Sequence, residues 1–307
     1  MENILVNMLI CPQGNETLLL ENNELKSKST SYKIESEYNI PLFANDLICE
    51  DSKLQQLHFD RVAKNYIKNL GYPHTKEYIH YLDSNLLKLI PEGSLGNVAE
   101  ICCGTGEAFD LIKERVDGGI GVDISLEMLK VARKKHENAK FYFVQGDATN
   151  LPLKDDSFDN LFMLGGIHHI NDRKKLFKEA YRILKPGGCF YFREPVSDFF
   201  IWKALRYIIY RVSSALDHKT ERPLRYKETV PILREVGFIQ KHWTTHGFFG
   251  FCIFMNSDIL IFNRLFQYIP FIRAITKMST VIDELILKIP GFSKKGLQVI
   301  GVAQKPY

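Results

Sequence analysis

Residues 97–106 read NVAEICCGTG, and this stretch decides the fold. Asn97 to Cys103 is an apolar run of strand length, and it ends in Gly104-Thr105-Gly106. Glycines just after a strand let the backbone approach a ligand closely, because no Cβ intrudes. A single Gly-x-Gly is equally consistent with a plain turn, so the following strands decide its meaning. GVDI ends a second apolar run with Asp123. FYFVQGDA ends a third with Gly146-Asp147-Ala148. A carboxylate at the second tip can accept both hydrogen bonds of a ribose diol. One at the third tip can accept from an adenine amino group. A dinucleotide fingerprint wants glycine three residues after Gly106, where Phe109 stands. The pattern therefore favours adenosine carrying a different tail.

Outward from this stretch, apolar runs alternate with helical segments from Gly96 to Phe192. GEAFDLIKERV, SLEMLKVARKKHE (capped by Ser125) and NDRKKLFKEAYRIL (capped by Asn171 or Asp172) read as helices. FDNLFML and CFYF read as strands, with KPGG a turn between helix and strand. Such alternation predicts an α/β, doubly wound, Rossmann-like parallel sheet with helices on both faces. Upstream, TKEYIHYLDSNLLKLI carries apolar residues at 79, 82, 86 and 90, a helical spacing with Thr75 as cap and Pro91 as stop. Downstream, Glu228 to Val236 reads as a helix, and FIQKHW and LQVIGVAQ as two late strands.

The composition limits the alternatives. The 307 residues are 45% apolar and 25% charged, an ordinary globular balance. The formal net charge of +4 has no dense basic block behind it, and no basic–aromatic stripe marks an RNA surface. No nucleic-acid partner is expected. The start MENILVNMLICPQG lacks the basic region and apolar length of a signal peptide. The six cysteines form no close-spaced framework, which predicts reduced thiols and a cytoplasmic location. No 18-residue apolar run occurs; the nearest, Gly247 to Phe262, is broken by Asn256, Ser257 and Asp258.

Taken together, FDRVAKNY, EICCGTGEAF, GVDIS, GDATNLPLKDDSFD, GGIHHI and RILKPGG resemble the class I S-adenosylmethionine-dependent methyltransferase family, especially its ubiquinone/menaquinone-biosynthesis-like branch. The resemblance covers about Phe59 to Tyr191. It implies a seven-stranded sheet and S-adenosyl-L-methionine as cofactor. It implies that Glu100, Gly104, Thr105 and Gly106 line the methionine end of that cofactor, with Cys102 where the family usually has glycine. Asp123 would hold the ribose beside Ile124, and Asp147 and Ala148 the adenine edge. Leu164 and Gly165 would lie near the reacting methyl group, with Tyr66 closing over the site. For a hydroxyl nucleophile a base is required, and His168, His169 and Glu194 are the candidates. Either histidine could instead cap the next helix or fill the strand end. No further histidine or carboxylate is spaced with the pair as a ligand set, so no metal is expected.

Residues 9–47 resemble a small zinc-ribbon module, on LICP at one end and YNIPLF near the other. Gly14 stands where the second cysteine would fall and the middle pair is missing, which predicts a metal-free remnant. The expected organisation is a ribbon-like segment over 1–50, a cofactor-binding core over 51–194, a helical cap over 195–225, and late core strands over 226–307 with a second apolar insertion at about 244–295. Asp198 to Leu216 reads as a basic, aromatic-rich helix with Lys203, Arg206 and Arg211 on one side. It suits either ordinary cap packing or peripheral membrane contact. The expected function is methylation of oxygen or carbon on a small or lipid-like metabolite. The alternative is a non-catalytic partner protein that keeps the fold, suggested by Cys102 and the lost ribbon ligands. Nucleobase amines are disfavoured, because Leu164-Gly165-Gly166-Ile167 replaces the Asn-Pro-Pro-aromatic text that such chemistry commonly uses.

Overall fold

The computed structural model describes residues 3–44, 50–137, 140–199, 222–255 and 263–307. Seven strands form one sheet: β5 (Asn97–Ile101), β6 (Gly118–Asp123), β7 (Phe141–Gln145), β8 (Phe158–Leu164), β9 (Leu184–Pro195), β10 (Ile239–His246) and β11 (Gln298–Gln304). Their spatial order is β10-β11-β9-β8-β5-β6-β7. Strands β5 to β9 are mutually parallel, whereas β11 runs antiparallel between β9 and β10. The chain steps outward from β5 to β7, then crosses back to β8 on the other side of β5. The switch point therefore lies between β5 and β8, and a crevice opens there beyond the carboxyl ends of the strands.

The apolar runs form strands because both faces are covered. Ala99, Ile101, Val122, Leu161 and Phe192 are all essentially buried, and fully covered parallel strands carry continuous apolar text. Helix α5 (Leu126–Lys135) begins where Ser125 accepts the Met128 N–H, and α6 (Arg173–Ile183) where Asp172 accepts the Lys175 N–H. KPGG is not a separate turn. It is absorbed into β9, where the register against β8 jumps from Phe158↔Leu184 to Asn160↔Cys189. Such a slip needs a residue of permissive backbone, and Gly187 takes φ +80°.

Helix α3 (Pro73–Leu87) starts earlier than its Thr75 predicts. Proline occupies its first turn, and no side chain caps it. The Thr75 hydroxyl donates instead to the Phe254 carbonyl, at 3.5 Å. Three helices lie outside what the sequence reading predicts: α1 (Asn3–Met8), the 21-residue α2 (Glu50–Leu70), and one within the second apolar insertion, at Ile272–Lys288.

The N-terminal segment forms a small antiparallel sheet of β1 (Leu19–Glu21), β2 (Glu24–Lys26), β3 (Ser31–Glu35) and β4 (Ile40–Pro41). Asn22 and Asn23, at φ +49° and +62°, make the tight hairpin between β1 and β2. The small sheet shares the main core: Leu9, Leu18, Leu25 and Phe43 pack in one cluster with Val122, Val144 and Leu153. Its end docks on β7, where the Phe43 N–H donates to the Gln145 carbonyl at 2.9 Å. Cys11 is buried, with its sulfur 3.3 Å from the Tyr32 hydroxyl.

The apolar insertion leaves the sheet after β10 and returns at β11, where His246 faces Gln298 and Gln298 faces Pro195. That edge holds the carboxyl end of β9, so the insertion rises on the same side as the crevice. Its long helix α8 (Ile272–Lys288) packs on α3. Helix α7 (Tyr226–Val236) packs on α6. Most of the basic helix expected over Asp198 to Leu216 lies outside the described residues. No helix of the described residues is long and apolar enough to cross a membrane.

Candidate active site

A cavity of about 370 Å³ occupies the crevice at the switch point. Nine residues expected at the cofactor border it: Tyr66, Cys102, Gly104, Asp123, Ile124, Asp147, Ala148, Leu164 and Gly165. Eight come from the tips of β5, β6, β7 and β8, which the sheet topology brings together, and Tyr66 comes from α2. Gly104 (φ +50°) and Gly165 (φ +84°) both have open space where a side chain would begin. A Cβ there would project into free volume, so the two backbones form a cradle that a ligand can approach closely.

The acids at the tips are held in place by the backbone. Asp123 is 9% exposed. Its Oδ2 accepts the Gly104 N–H at 2.8 Å and its Oδ1 the Ser125 N–H at 2.9 Å. Each oxygen keeps a second lone pair, so the group can still accept from a diol. Burial raises the Asp123 pKa above the usual aspartate range, and the two N–H donors oppose that shift. Asp147 accepts the Thr149 N–H at 2.7 Å and the Ser52 hydroxyl at 2.6 Å.

That second bond belongs to a lid missed by the sequence reading, apart from Tyr66. Asp51, Ser52, Gln55, Phe59 and Tyr66 of α2 all border the cavity. Their spacing puts them close to one helical face. Polar contacts tie this face down at three places. Asp51 accepts from Asn171, Ser52 donates to Asp147, and Asp60 accepts from the Ser125 hydroxyl at 2.5 Å. The partners lie 65 to 120 residues apart in the chain, which is why no local signal announces them.

Three residues expected at the methionine end do not border the cavity: Glu100, Thr105 and Gly106. The buried Glu100 carboxylate accepts the Ala108 N–H at 2.8 Å and the Phe109 N–H at 3.4 Å, so it caps α4 (Glu107–Ile112). Gly106 starts that helix at φ +78°, with His136 packed so close that a Cβ would lie 2.8 Å from its ring nitrogen. Thr105 is buried in the same turn. These residues shape the loop from behind. Glu107, the next residue, does face the cavity. Behind it, Arg193 of β9 is buried and pairs with Asp83 of α3, and with Glu107 at 3.5 Å. Neither Glu107 nor Arg193 was singled out from sequence.

Cys102 borders the cavity and has φ +52°. An L side chain at this left-handed position is strained by roughly 1–2 kcal/mol, a cost that glycine would not carry. The Cys102 Cβ and sulfur pack against Gly166, where an added Cβ would lie 2.5 Å and 3.0 Å from them. Burial first, then Asp123 and Glu194, raises the Cys102 pKa well above the ordinary thiol range.

The three candidate bases separate into two roles. Glu194 is fully buried and does not border the cavity. Its Oε1 accepts the N–H groups of Gly166 and Ile167, both at 2.7 Å. Its Oε2 accepts from His168, from the N–H at 3.3 Å and from the ring Nδ1 at 2.8 Å. Burial pushes its pKa up to about 7. It thereby clamps the 3₁₀ turn Ile167–His169, and His168 is engaged in that clamp. His169 alone of the three borders the cavity, its ring edge-on to Phe59 at 5.1 Å. The helix-capping alternative for the pair is not what is found, since Asp172 caps α6.

The cavity wall carries five carboxylates, Asp51, Glu107, Asp123, Asp147 and Asp172, against one lysine, Lys175. Such a wall favours a cationic ligand. The carboxylates, the glycine cradle and the apolar Ile124 and Leu164 fit an adenosyl sulfonium in size, charge and hydrogen-bonding type. No group of three or more His, Cys, Asp or Glu among the described residues is arranged to hold a metal ion.

Comparison with known proteins agrees with this geometry. Residues 99–192 match the methyltransferase domain family. A demethylmenaquinone methyltransferase of Listeria welshimeri is 30% identical over 147 residues, covering 45% of this chain and 61% of that relative. The chain thus spans less than two thirds of the length of such relatives. A phosphoethanolamine N-methyltransferase 2 of Haemonchus contortus, solved in complex with S-adenosyl-L-methionine, superposes with a TM-score of 0.59 at 17% identity. That likeness covers 94% of this chain and 72% of the other. A chain of the complex between the Haloferax volcanii Trm112 methyltransferase activator and a methyltransferase gives 0.54 at 18% identity, over 85% of this chain and all of that one. Both likenesses establish the methyltransferase fold.

Proposed function

We propose that this chain, which carries a methyltransferase domain, is an S-adenosylmethionine-dependent methyltransferase acting on oxygen or carbon of a small, apolar or lipid-like acceptor. The observation that carries the reading is the meeting of Gly104, Asp123 and Asp147 on one cavity, each from a different strand tip. The cofactor, when bound, supplies a methyl group already activated as part of a sulfonium. The protein must then align the partners in line and exclude water. Asp123 would hold the ribose and Asp147 the adenine edge. Glu107, held by Arg193, suits the ammonium of the methionine tail. Helix α2 would cover the cavity through Phe59 and Tyr66. His169 would take the acceptor proton at its ring nitrogen, while Glu194 acts as a positioning residue through His168. Phe59, Leu164 and Ile170 give the acceptor side an apolar wall, consistent with quinone-like acceptors of the kind named for the Listeria relative.

The same reading keeps the division of the chain at 1–50, 51–194, 195–225 and 226–307, the first part being a metal-free ribbon remnant. It places the protein in the cytoplasm or at a membrane surface. Incubation with methyl-labelled S-adenosylmethionine and a panel of hydroquinones, catechols and polyprenylated phenols tests the proposal. Label in an organic-extractable product supports it. Cofactor binding with no transfer to any acceptor supports the partner-protein reading that Cys102 suggests.

A further inference from the structure

Helix α8 buries apolar side chains only near its two ends, at Ile272 and Leu287. Its buried positions include Thr276, Thr280 and Asp283, each 5% exposed or less. Its solvent side carries Met278 at 61% exposure, Val281 at 54%, Ile282 at 47% and Leu285 at 57%. The inward polar groups are all occupied. Asp283 accepts from the Tyr78 hydroxyl at 2.8 Å and from the Gly250 N–H at 3.1 Å. Glu284 accepts from Tyr81, and from His246 at 3.0 Å. The helix is thus locked to α3 through polar bonds, and its apolar stripe faces away from the protein. Phe271, 85% exposed, Tyr268 at 76% and Ile289 extend the stripe beyond both helix ends. A continuous exposed apolar surface of this kind marks a docking site.

The charges around the stripe select the occupant. Between residues 263 and 295 the basic residues are Arg264, Arg273, Lys277, Lys288, Lys294 and Lys295, of which Arg273 already pairs with Glu77 of α3 at 3.8 Å. The acids are Asp283 and Glu284 alone; Asp283 is buried, and Glu284, about a third exposed, is engaged by His246 and Tyr81. An isologous contact with a second copy would set the remaining five cations against five. An anionic bilayer instead takes up the apolar stripe and pairs with the cations. We infer that the α8 face, with its flanking 3₁₀ turn Asn263–Tyr268, docks this protein on an anionic lipid surface. The insertion rises from the sheet edge that also carries the cavity, so docking would bring the active site close to the acyl layer without any membrane span.

Sedimentation with phosphatidylcholine vesicles, pure or containing about one third phosphatidylglycerol, tests this with the full chain. At low salt the wild type should bind the anionic vesicles at least about tenfold better than the neutral ones, and the preference should fall steeply as salt rises. The double variant Met278→Asp/Leu285→Asp should lose binding about tenfold while keeping its melting temperature. Lys277→Glu/Lys288→Glu, a second arm should the first variant fail to fold, should lose the anionic preference. Equal binding by wild type and variants, or no binding at all, overturns the inference. So does a wild-type dimer in analytical ultracentrifugation that the Met278→Asp/Leu285→Asp variant splits while vesicles capture nothing.

Discussion

The Glu194 carboxylate holds the His168 ring, with Oε2 2.8 Å from Nδ1, while its other oxygen accepts two backbone N–H groups at 2.7 Å. Glu194→Ala would leave those buried donors unpaired, at about 1–3 kcal/mol each. Chemical denaturation should therefore show a loss of about 3 kcal/mol or more. Glu194→Gln keeps an acceptor for the Gly166 and Ile167 N–H groups and should cost less than half as much. Similar small losses in both variants would remove Glu194 from its clamping role.

His169 and His168 should separate in kinetics. His169→Ala should lower methyl transfer to a hydroxyl acceptor by about 10²-fold or more at neutral pH, the usual scale for a lost general base. It should also abolish the acid limb of the rate profile. His168→Ala should lower activity less, and should lower the melting temperature more. The opposite ordering would make His168 the proton acceptor.

Asp123 predicts a pH dependence of cofactor affinity. Its ionised form is the one that accepts from a diol, and burial raises its pKa above the ordinary aspartate value of 3.8. Affinity should be complete above the raised pKa and decline as pH falls through it, starting at a higher pH than a normal aspartate would allow. In Asp123→Asn that decline should disappear, with weaker binding throughout. A wild-type affinity that is flat down to pH 4 would contradict the ribose assignment.

The lid should respond to the loss of a single hydroxyl. Ser52→Ala removes the bond to Asp147 and one of three ties on α2. Hydrogen exchange over residues 50–70 should speed up, and cofactor affinity should fall by about three- to tenfold, the scale of one ordinary hydrogen bond. Unchanged exchange in α2 would show that the helix does not depend on this tie.

What could be read from sequence was what a strand tip announces locally. Asp123 and Gly104 each close an apolar run, and both face the cavity. The charge that serves the fold and the charge that serves a ligand look alike at this level. Glu100, beside the glycine turn, caps α4, whereas Glu107, a few residues later, faces inward. The α2 face could not be read because its text is charged and only weakly periodic, and its partners lie far along the chain. The exposed stripe of α8 was hidden for a related reason. Its apolar spacing matches that of a buried helix, and only the tertiary bonds from Tyr78 and Tyr81 reveal which side faces in.

The central claim is that three strand tips and one helical face enclose a site for an adenosyl sulfonium. Titration calorimetry of the intact chain with S-adenosylmethionine measures it directly. Saturable one-to-one binding in the micromolar range is expected, which Asp123→Ala abolishes while the far-ultraviolet spectrum stays that of a folded chain, its melting temperature lowered by the Gly104 and Ser125 N–H groups left unpaired. No heat of binding with the wild type, or undiminished affinity in a folded Asp123→Ala variant, would contradict it.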